Sequence, residues 1–276
     1  MRRKPRIGLA LGAGSARGWA HIGVIRALEE RGVKPGIVCG TSIGALVGAT
    51  YASGQLDRLE TWVSGLAWTS VVRLMDISLR GGLIRGNRLF SLFRATFEEH
   101  DIAALPIAYG AVATELESGR EVWLREGKVL EAVRASIAMP GLFTPVVRDG
   151  VLLVDGGLVN PVPVSMCRAL GADLVIAVDL GWGKLGAYRD FGKPGAAEKA
   201  DKEPAMPSIF QVFNTALDIV EQRVARSRLA GEPADVLITP LLPGFGTMEY
   251  HRAKEAIEEG RQAVGRMAPL IEQVIR

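Results

Sequence analysis

The sequence predicts an α/β fold with a mainly parallel central sheet, and three observations support this prediction. The 276 residues, 48% hydrophobic and 23% charged, suffice for a folded domain with a sizeable core. In the first third of the chain, short apolar runs alternate with glycine-rich turns and with segments of helical periodicity. Such alternation is typical of parallel strands joined by covering helices. Residues 173–179 form the clearest buried strand of the sequence.

In the first third of the chain, a strand, a glycine-rich turn and a helix are predicted twice in succession. Apolar residues at 7–11 and at 37–39 predict two buried strands, and a glycine-rich turn follows each of them, at 12–18 and at 40–44. Helical spacing then runs over 19–31 and, in the second unit, to about residue 52. Gly32 ends the first helix, as a glycine just past the last helical residue commonly does.

The other elements are predicted from periodicity and from the positions of proline and glycine. Helices are predicted over 57–65, 87–97, 129–138, 161–170, 209–229 and, as one or two helices, 251–275. Strands are predicted over 107–115, 121–124, 151–154, 173–179 and 236–238, the first two as a hairpin. Residues 182–207 lack periodicity and predict a mobile loop, so we expect one domain over 1–276.

Composition argues against several classes of protein. Two cysteines cannot form a disulfide framework, three histidines leave little for a metal site, and a net charge of +3 is too small to indicate nucleic acid binding. The 22 uncharged residues 35–56 have the length of a membrane span, and the basic start before 7–11 resembles a signal peptide. We interpret the first stretch as a buried strand, a turn and a packed helix, and the second as the first strand rather than a cleavable signal. We therefore expect a cytoplasmic protein, compatible with peripheral contact at the inner face of the membrane.

Gly40-Thr-Ser-Ile-Gly44 is a Gly-x-Ser-x-Gly sequence between a predicted strand and a predicted helix. This is the context of a nucleophile elbow, in which a sharp turn exposes a serine and the flanking glycines leave room for it. Ser42 would lie at a helix N-terminus, whose partial positive charge favours a developing oxyanion. The same five residues also fit an ordinary glycine-rich turn with a capping serine, and the motif alone does not separate the two readings.

Residues 12–18 form the other glycine-rich loop, and they do not match a nucleotide fingerprint. A dinucleotide fold needs glycine where Arg17 stands, and no acidic residue ends the strand at 37–39. What remains is a group of backbone N–H donors at a helix start, which suits an anion. Parallel strands end at the same edge of a sheet, so this loop can supply an oxyanion hole beside Ser42. Its candidate residues are Gly12, Ala13, Gly14, Ser15, Arg17 and Gly18.

The base that would activate Ser42 has two candidates. The chain order Ser42, Asp155 or Asp179, then His251 would fit a triad. Alternatively Asp155, at the end of an apolar strand, could act directly as the base, because burial raises the pKa of a carboxylate. We expect His21 to be packed or on a helix surface and His251 to lie at the surface. Spacing alone does not choose between a dyad and a triad.

Three motifs in this order carry a family resemblance. They are residues 11–25, which include the first loop and Ala-His-Ile-Gly-Val-Ile, the Gly-Thr-Ser-Ile-Gly sequence at 40–44, and Asp-Gly-Gly at 155–157. With 138–145 and 160–163 they make residues 7–180 similar to the patatin-like phospholipase family, and specifically to its short stand-alone bacterial branch related to neuropathy target esterase.

The resemblance implies a three-layer α/β/α fold and a Ser–Asp dyad, with Ser42 as the nucleophile and Asp155 as the base. Gly156 and Gly157 complete the second catalytic motif, and no metal or organic cofactor and no nucleotide is implied. Ala13 and Ser15 stand where the family often has glycine. Because the oxyanion donors are backbone N–H groups, this departure leaves their number unchanged.

The resemblance also implies an activity. We expect hydrolysis of carboxylic esters of lipids, of the phospholipase A, lysophospholipase or esterase type. Residues 71–97 mix apolar and arginine side chains, which would suit an acyl chain and an anionic head group, or equally a core-packed helix pair. A second hypothesis is a catalytically weak, membrane-associated regulatory or interaction module on the same fold.

Overall fold

The structure, a computed structural model, describes residues 4–70, 87–181 and 208–275. Within these ranges the chain forms eight strands: β1 (Ile7–Leu11), β2 (Ile37–Thr41), β3 (Ala108–Glu115), β4 (Glu121–Leu124), β5 (Val146–Arg148), β6 (Val151–Asp155), β7 (Leu174–Val178) and β8 (Val236–Ile238). The helices that we number are α1 (Ala20–Glu30), α2 (Ile43–Ala52), α3 (Leu56–Ser64), α4 (Asn87–Thr96), α5 (Val129–Ser136), α6 (Val164–Ala169), α7 (Ile209–Gly231) and α8 (Ala253–Ile275). Short 3-10 turns lie at Ser15–Trp19, Ile102–Ala104, Gly156–Leu158 and Tyr250–Arg252.

The strands form one sheet in the order β5-β6-β3-β2-β1-β7-β8, with β4 also paired to β3. The pairs among β1, β2, β3, β7 and β8 are parallel, whereas β4, β5 and β6 pair antiparallel. The prediction of a mainly parallel central sheet is therefore confirmed.

Two strands share one edge of β3, and this brings the ends of β2 and β6 together. Residues 108–112 of β3 pair with β2, residues 113–115 pair with β6, and β4 occupies the opposite edge. Thr41 at the end of β2 is opposite Val112, and Asp155 at the end of β6 is opposite the next residue, Ala113. Because β6 runs against β2, the two strands point towards each other and their last residues meet.

Helices cover both faces of the sheet. Alternate residues of β1 show this, since Leu9 and Leu11 belong to the core beneath α1, α2 and α8, while Ala10 belongs to the core on the opposite face. That second core contains Met166 of α6 and Ala225 of α7. The result is the three-layer α/β/α arrangement that the family resemblance implied.

The predicted elements in the described ranges are confirmed, with bounds that shift by a few residues. The three-residue strand β5 was not predicted, because it shows neither an apolar run nor an alternating pattern of useful length. The predicted loop at 182–207 lies outside the described residues, and so does 71–86, the larger part of the arginine-rich segment 71–97. At the end of that region, Phe93 and Phe97 are buried, so this part of the segment is core.

The uncharged stretch 35–56 is β2, the turn at Ser42 and α2, whose residues are all buried. None of the helices in the described ranges has the length and hydropathy needed to cross a bilayer.

Candidate active site

Ser42 occupies a strained turn between β2 and α2. Its φ of 56° and ψ of −125° lie in a region that non-glycine residues seldom adopt. The flanking glycines are required by close backbone approach: a Cβ at Gly40 would lie 2.3 Å from the carbonyl oxygen of Gly44, and one at Gly44 would lie 2.2 Å from that of Leu11. The Gly-x-Ser-x-Gly spacing therefore has a steric cause.

The hydroxyl of Ser42 donates a hydrogen bond to the carboxylate of Asp155, with 2.6 Å between Oγ and Oδ2. Both side chains are buried. The other carboxylate oxygen, Oδ1, accepts from the N–H of Gly157 at 2.8 Å, which fixes the orientation of the group. Gly156 lies against β3, where a Cβ would come within 2.3 Å of the carbonyl oxygen of Val112. The strand register and the Asp-Gly-Gly turn together bring Asp155 to Ser42.

Buried polar contacts hold both residues in place, and sequence reasoning missed them. The N–H of Ser42 donates to Oγ of Ser136 at the end of α5, at 2.9 Å. The N–H of Asp155 donates to the carbonyl oxygen of Ala138 at 3.0 Å, and the carbonyl of Asp155 accepts from the Thr114 hydroxyl at 2.8 Å. These partners come from distant parts of the chain, and no local pattern marks them.

The loop from Gly12 to Gly18 lies beside this pair, as expected for two loops at one edge of a parallel sheet. Gly18 packs on the side chain of Ile43, the residue that follows the nucleophile candidate. Arg17 is partly exposed. Ser15 has a φ of 49°, so this loop also holds a non-glycine residue at positive φ.

Hydrogen bonding separates the N–H groups of this loop into two kinds. Those of Gly12, Ala13, Ala16 and Arg17 donate to the carbonyl oxygens of Val178, Pro161, Thr247 and Gly14 at 2.8–3.2 Å. Among the contacts of the described residues, the N–H groups of Gly14 and Ser15 have no acceptor. The N–H groups of Gly14 and Ser15 are therefore available to an anionic group placed beside them.

His21 braces the loop from α1. Its Nε2 lies 2.8 Å from the carbonyl oxygen of Gly12, so Nε2 carries the proton and donates. Nδ1 is buried and has no hydrogen-bond partner, and burial lowers the pKa of His21 to about 4 against the opposing effect of the Gly12 hydrogen bond. The ring is thus neutral near pH 7. Because Ala13 N–H bonds Pro161, the peptide between Gly12 and Ala13 is held at both ends.

Tyr250 closes the other side of the loop and was not predicted. Its carbonyl accepts from the indole N–H of Trp19 at 3.1 Å, and the two rings meet edge to face with centroids 5.8 Å apart. Burial raises the pKa of Tyr250 to about 12, although a hydrogen bond with Ser15 opposes this shift, while the charge of Asp155 adds to it. The phenol therefore lies beside Ser15 of the loop.

The other triad candidates lie elsewhere. His251 is exposed, and its ring packs against Trp68 with centroids 5.3 Å apart. Asp179 caps the turn after β7, where Oδ1 accepts from the N–H of Gly181 at 2.8 Å. Because Asp155 contacts the Ser42 hydroxyl directly, no imidazole lies between them.

Within the described ranges, no group of three or more histidine, cysteine, aspartate or glutamate side chains is placed to hold a metal ion. Cys39 and Cys167 are buried and unlinked.

A strained serine after one strand, bonded to an aspartate after another, is the arrangement of a serine hydrolase on an α/β sheet. The comparison with protein families is more specific. The profile of the patatin-like phospholipase family matches residues 9–168, which is more than half of the chain, and the chain belongs to this family.

Relatives of this chain carry related names. An uncharacterized NTE family protein of Mycobacterium tuberculosis is 34% identical over 93% of this chain and 89% of its own length. Patatin-like phospholipase domain-containing protein 6 of Homo sapiens is 36% identical over 63% of this chain, but this covers 13% of that protein. Lysophospholipase nte1 of Aspergillus fumigatus is 27% identical over 92% of this chain and 18% of its own length.

Proposed function

We propose that this protein hydrolyses carboxylic esters of lipids through an acyl-serine intermediate, with Ser42 as nucleophile and Asp155 as the base. The observation that carries the proposal is the 2.6 Å hydrogen bond from Ser42 Oγ to Asp155 Oδ2 in a strained, buried turn. A nucleophile and a base in hydrogen-bond contact, with the base oriented by a third group, is the signature of an activated hydroxyl.

In the acylation step, Asp155 takes the proton of Ser42 as Oγ attacks the ester carbonyl carbon. The carbonyl oxygen becomes an oxyanion, and the N–H groups of Gly14 and Ser15 donate to it. Loss of one such donor typically costs about 3 kcal/mol of transition-state stabilisation. As the tetrahedral intermediate collapses, Asp155 gives its proton to the leaving alcohol oxygen.

Deacylation repeats these steps with water as the nucleophile. Asp155 takes a proton from the water that attacks the acyl carbon, and the same donors stabilise the second oxyanion. Collapse breaks the acyl bond to Ser42, whose oxygen recovers the proton from Asp155. The products are a carboxylic acid and the enzyme in its starting state, so protons balance over the cycle.

The substrate class rests on the family and on the names of the relatives. The Aspergillus relative is named a lysophospholipase and the human one a patatin-like phospholipase domain-containing protein, which favours acyl esters of lipids over other esters. Lipid esters are presented at membrane surfaces, so peripheral contact with such a surface is part of the proposal.

A panel of lysophospholipid, phospholipid and p-nitrophenyl esters tests this function. The purified chain should hydrolyse at least one lipid ester. Ser42→Ala and Asp155→Asn should each reduce kcat by at least about 10³-fold, because members of one catalytic unit cannot replace each other.

His251→Ala is the matched control and should retain activity within about threefold, since the exposed ring contacts Trp68 rather than Ser42. If Asp155→Asn keeps its activity and His251→Ala loses it, the dyad is wrong and a triad that uses His251 is favoured. A folded wild-type chain that hydrolyses no ester of the panel would favour a non-catalytic interaction module.

A further inference from the structure

The outward face of α7 is apolar. Five of its large side chains are 40–89% exposed, and the helical period places them on one side of the helix: Ile209, Val212, Phe213, Ile219 and Val220. Helices on a globular protein normally turn their apolar stripe towards the core. An exposed apolar stripe of this length marks an interaction surface.

The inward face of the same helix is polar over several turns. Glu221 and Gln222 are buried, and Asn214 and Asp218 are partly buried on the same side. Gln222 donates to the carbonyl oxygen of Gly181 at 2.6 Å, and Glu221 lies against Gly157, where a Cβ would be 2.7 Å from its Oε1. Glu221 and Gln222 therefore hold the middle of α7 through polar contacts to the turns after β6 and β7. In the N-terminal half, one edge of the Phe213 ring lies against Gly141, where a Cβ would be 2.6 Å from its Cε1, and the rest of the apolar side is left outward.

Two arginines lie beyond the apolar residues on the outward side of α7. Arg223 and Arg226 follow the apolar residues by one turn, are exposed, and form no ion pair with a described residue. The acidic residues of α7, Asp218 and Glu221, are on the inward side. An apolar stripe with arginines along one side is the pattern of a helix that lies in the plane of a membrane interface, with cations among anionic head groups.

We propose that the outward face of α7 docks on an anionic lipid surface, with the five apolar residues at the acyl boundary and Arg223 and Arg226 at the head groups. The inward side of α7 contacts Gly157, two residues after Asp155, so docking would place the active site at the source of its substrate. This inference adds a docking surface to the proposed function, but the docking itself needs no catalysis.

Co-sedimentation with sucrose-loaded vesicles tests the inference. The whole chain carrying Ser42→Ala is mixed with one of two kinds of vesicle. One kind is phosphatidylcholine alone, and the other is phosphatidylcholine with about 30% of the anionic lipid phosphatidylglycerol. We expect binding to the anionic vesicles that weakens as salt is raised, because charge attraction is screened. Ile209→Gln with Val220→Gln should weaken partitioning by about tenfold or more, since apolar burial drives insertion.

Matched control variants distinguish binding through the outward face of α7 from nonspecific binding to vesicles. Leu270→Gln changes an exposed apolar residue of α8, and Arg125→Gln changes an exposed arginine outside α7; neither should alter partitioning. Arg223→Gln with Arg226→Gln should remove most of the preference for anionic vesicles, roughly fivefold per arginine.

Three results would overturn the inference. They are a parent chain that binds neither vesicle, α7 variants that partition like the parent, and control variants that weaken binding as much as the α7 pair. A parent that is dimeric in light scattering, becomes monomeric with the α7 variants and binds vesicles unchanged would assign the face to a second copy instead. The proposed function is tested separately, by hydrolysis of a water-soluble p-nitrophenyl ester by the wild-type chain, which retains Ser42.

Discussion

At the scale of single residues, we propose that His21 positions the loop that would supply the oxyanion donors, although its ring takes no part in the chemistry. His21 holds the carbonyl of Gly12, and the carbonyl of Pro161 holds the N–H of Ala13, so one peptide is fixed from two sides. The next two peptides carry the unbonded N–H groups of Gly14 and Ser15. We therefore regard His21 as a positioning residue for those donors.

A pair of substitutions at this position tests that role. His21→Leu removes the donor and leaves the carbonyl of Gly12 unsatisfied, so kcat for a water-soluble ester should fall by at least about tenfold with little change in KM. His21→Gln restores an N–H at nearly the same reach and should keep kcat within about threefold of the parent.

Steady-state kinetics give kcat and KM for the two variants, and circular dichroism checks that both variants are folded. Equal losses in both variants would mean that the ring acts through its shape or packing and not through the hydrogen bond to Gly12.

The residues of the site differ in how far the sequence predicts them. Ser42 and Asp155 lie in short motifs whose spacing follows from local sterics, and the structure brings the two side chains together. Their proposed roles stay predictions. Ser136 and Tyr250 reach the site through contacts between distant segments, and neither stands in a pattern that local physics requires. His21, for which the sequence leaves a packed and a surface position open, is buried, and its bond to Gly12 depends on how α1 approaches the loop.

At the scale of elements, α1 and α8 cross at a close backbone contact. A Cβ at Gly260 would lie 2.0 Å from the carbonyl oxygen of Ala20, and one at Gly23 would lie 1.8 Å from that of Ile257. Contacts of this kind leave no space for a side chain. The small residues of the two helices thus set the distance at which α8 covers the helix that carries His21.

Two alanine substitutions in α8 should have opposite effects on stability. Gly260→Ala inserts a methyl group against backbone and should lower the free energy of unfolding by about 2 kcal/mol or more. Gly265→Ala, where a Cβ meets no atom within 4 Å, should raise it by about 0.5–1 kcal/mol because alanine favours the helix. Urea unfolding of both variants measures this, and a stabilised Gly260→Ala would contradict the close contact.

Elements were predictable where their pattern is local. The apolar runs of β1, β2 and β7 and the periodicity of α1 and α8 are complete within a few turns or residues. Two other features were not predictable. The end-to-end meeting of β2 and β6 depends on strand register along β3, and the amphipathic pattern of α7 indicates a helix without showing which face is buried.

At the scale of the whole molecule, the sheet joins distant parts of the chain. β1 lies between β2 and β7, and β8 from the last third pairs with β7. α8 packs on α1, so the first and last described helices share a core. We propose on this basis that residues 1–276 act as one domain, in which the C-terminal third supports the site through Thr247, Tyr250 and α7.

The central claim is that Asp155 activates Ser42 for attack. A fluorophosphonate probe tests it most directly, because attack by the serine oxygen on phosphorus expels fluoride and leaves a stable adduct. Intact mass and peptide mapping should find one adduct, on Ser42, in the wild-type chain and none in Ser42→Ala. Asp155→Asn should label at least about 10²-fold more slowly, since the base is gone. A folded wild-type chain that resists the probe, or an Asp155→Asn chain that labels at the wild-type rate, would contradict the dyad.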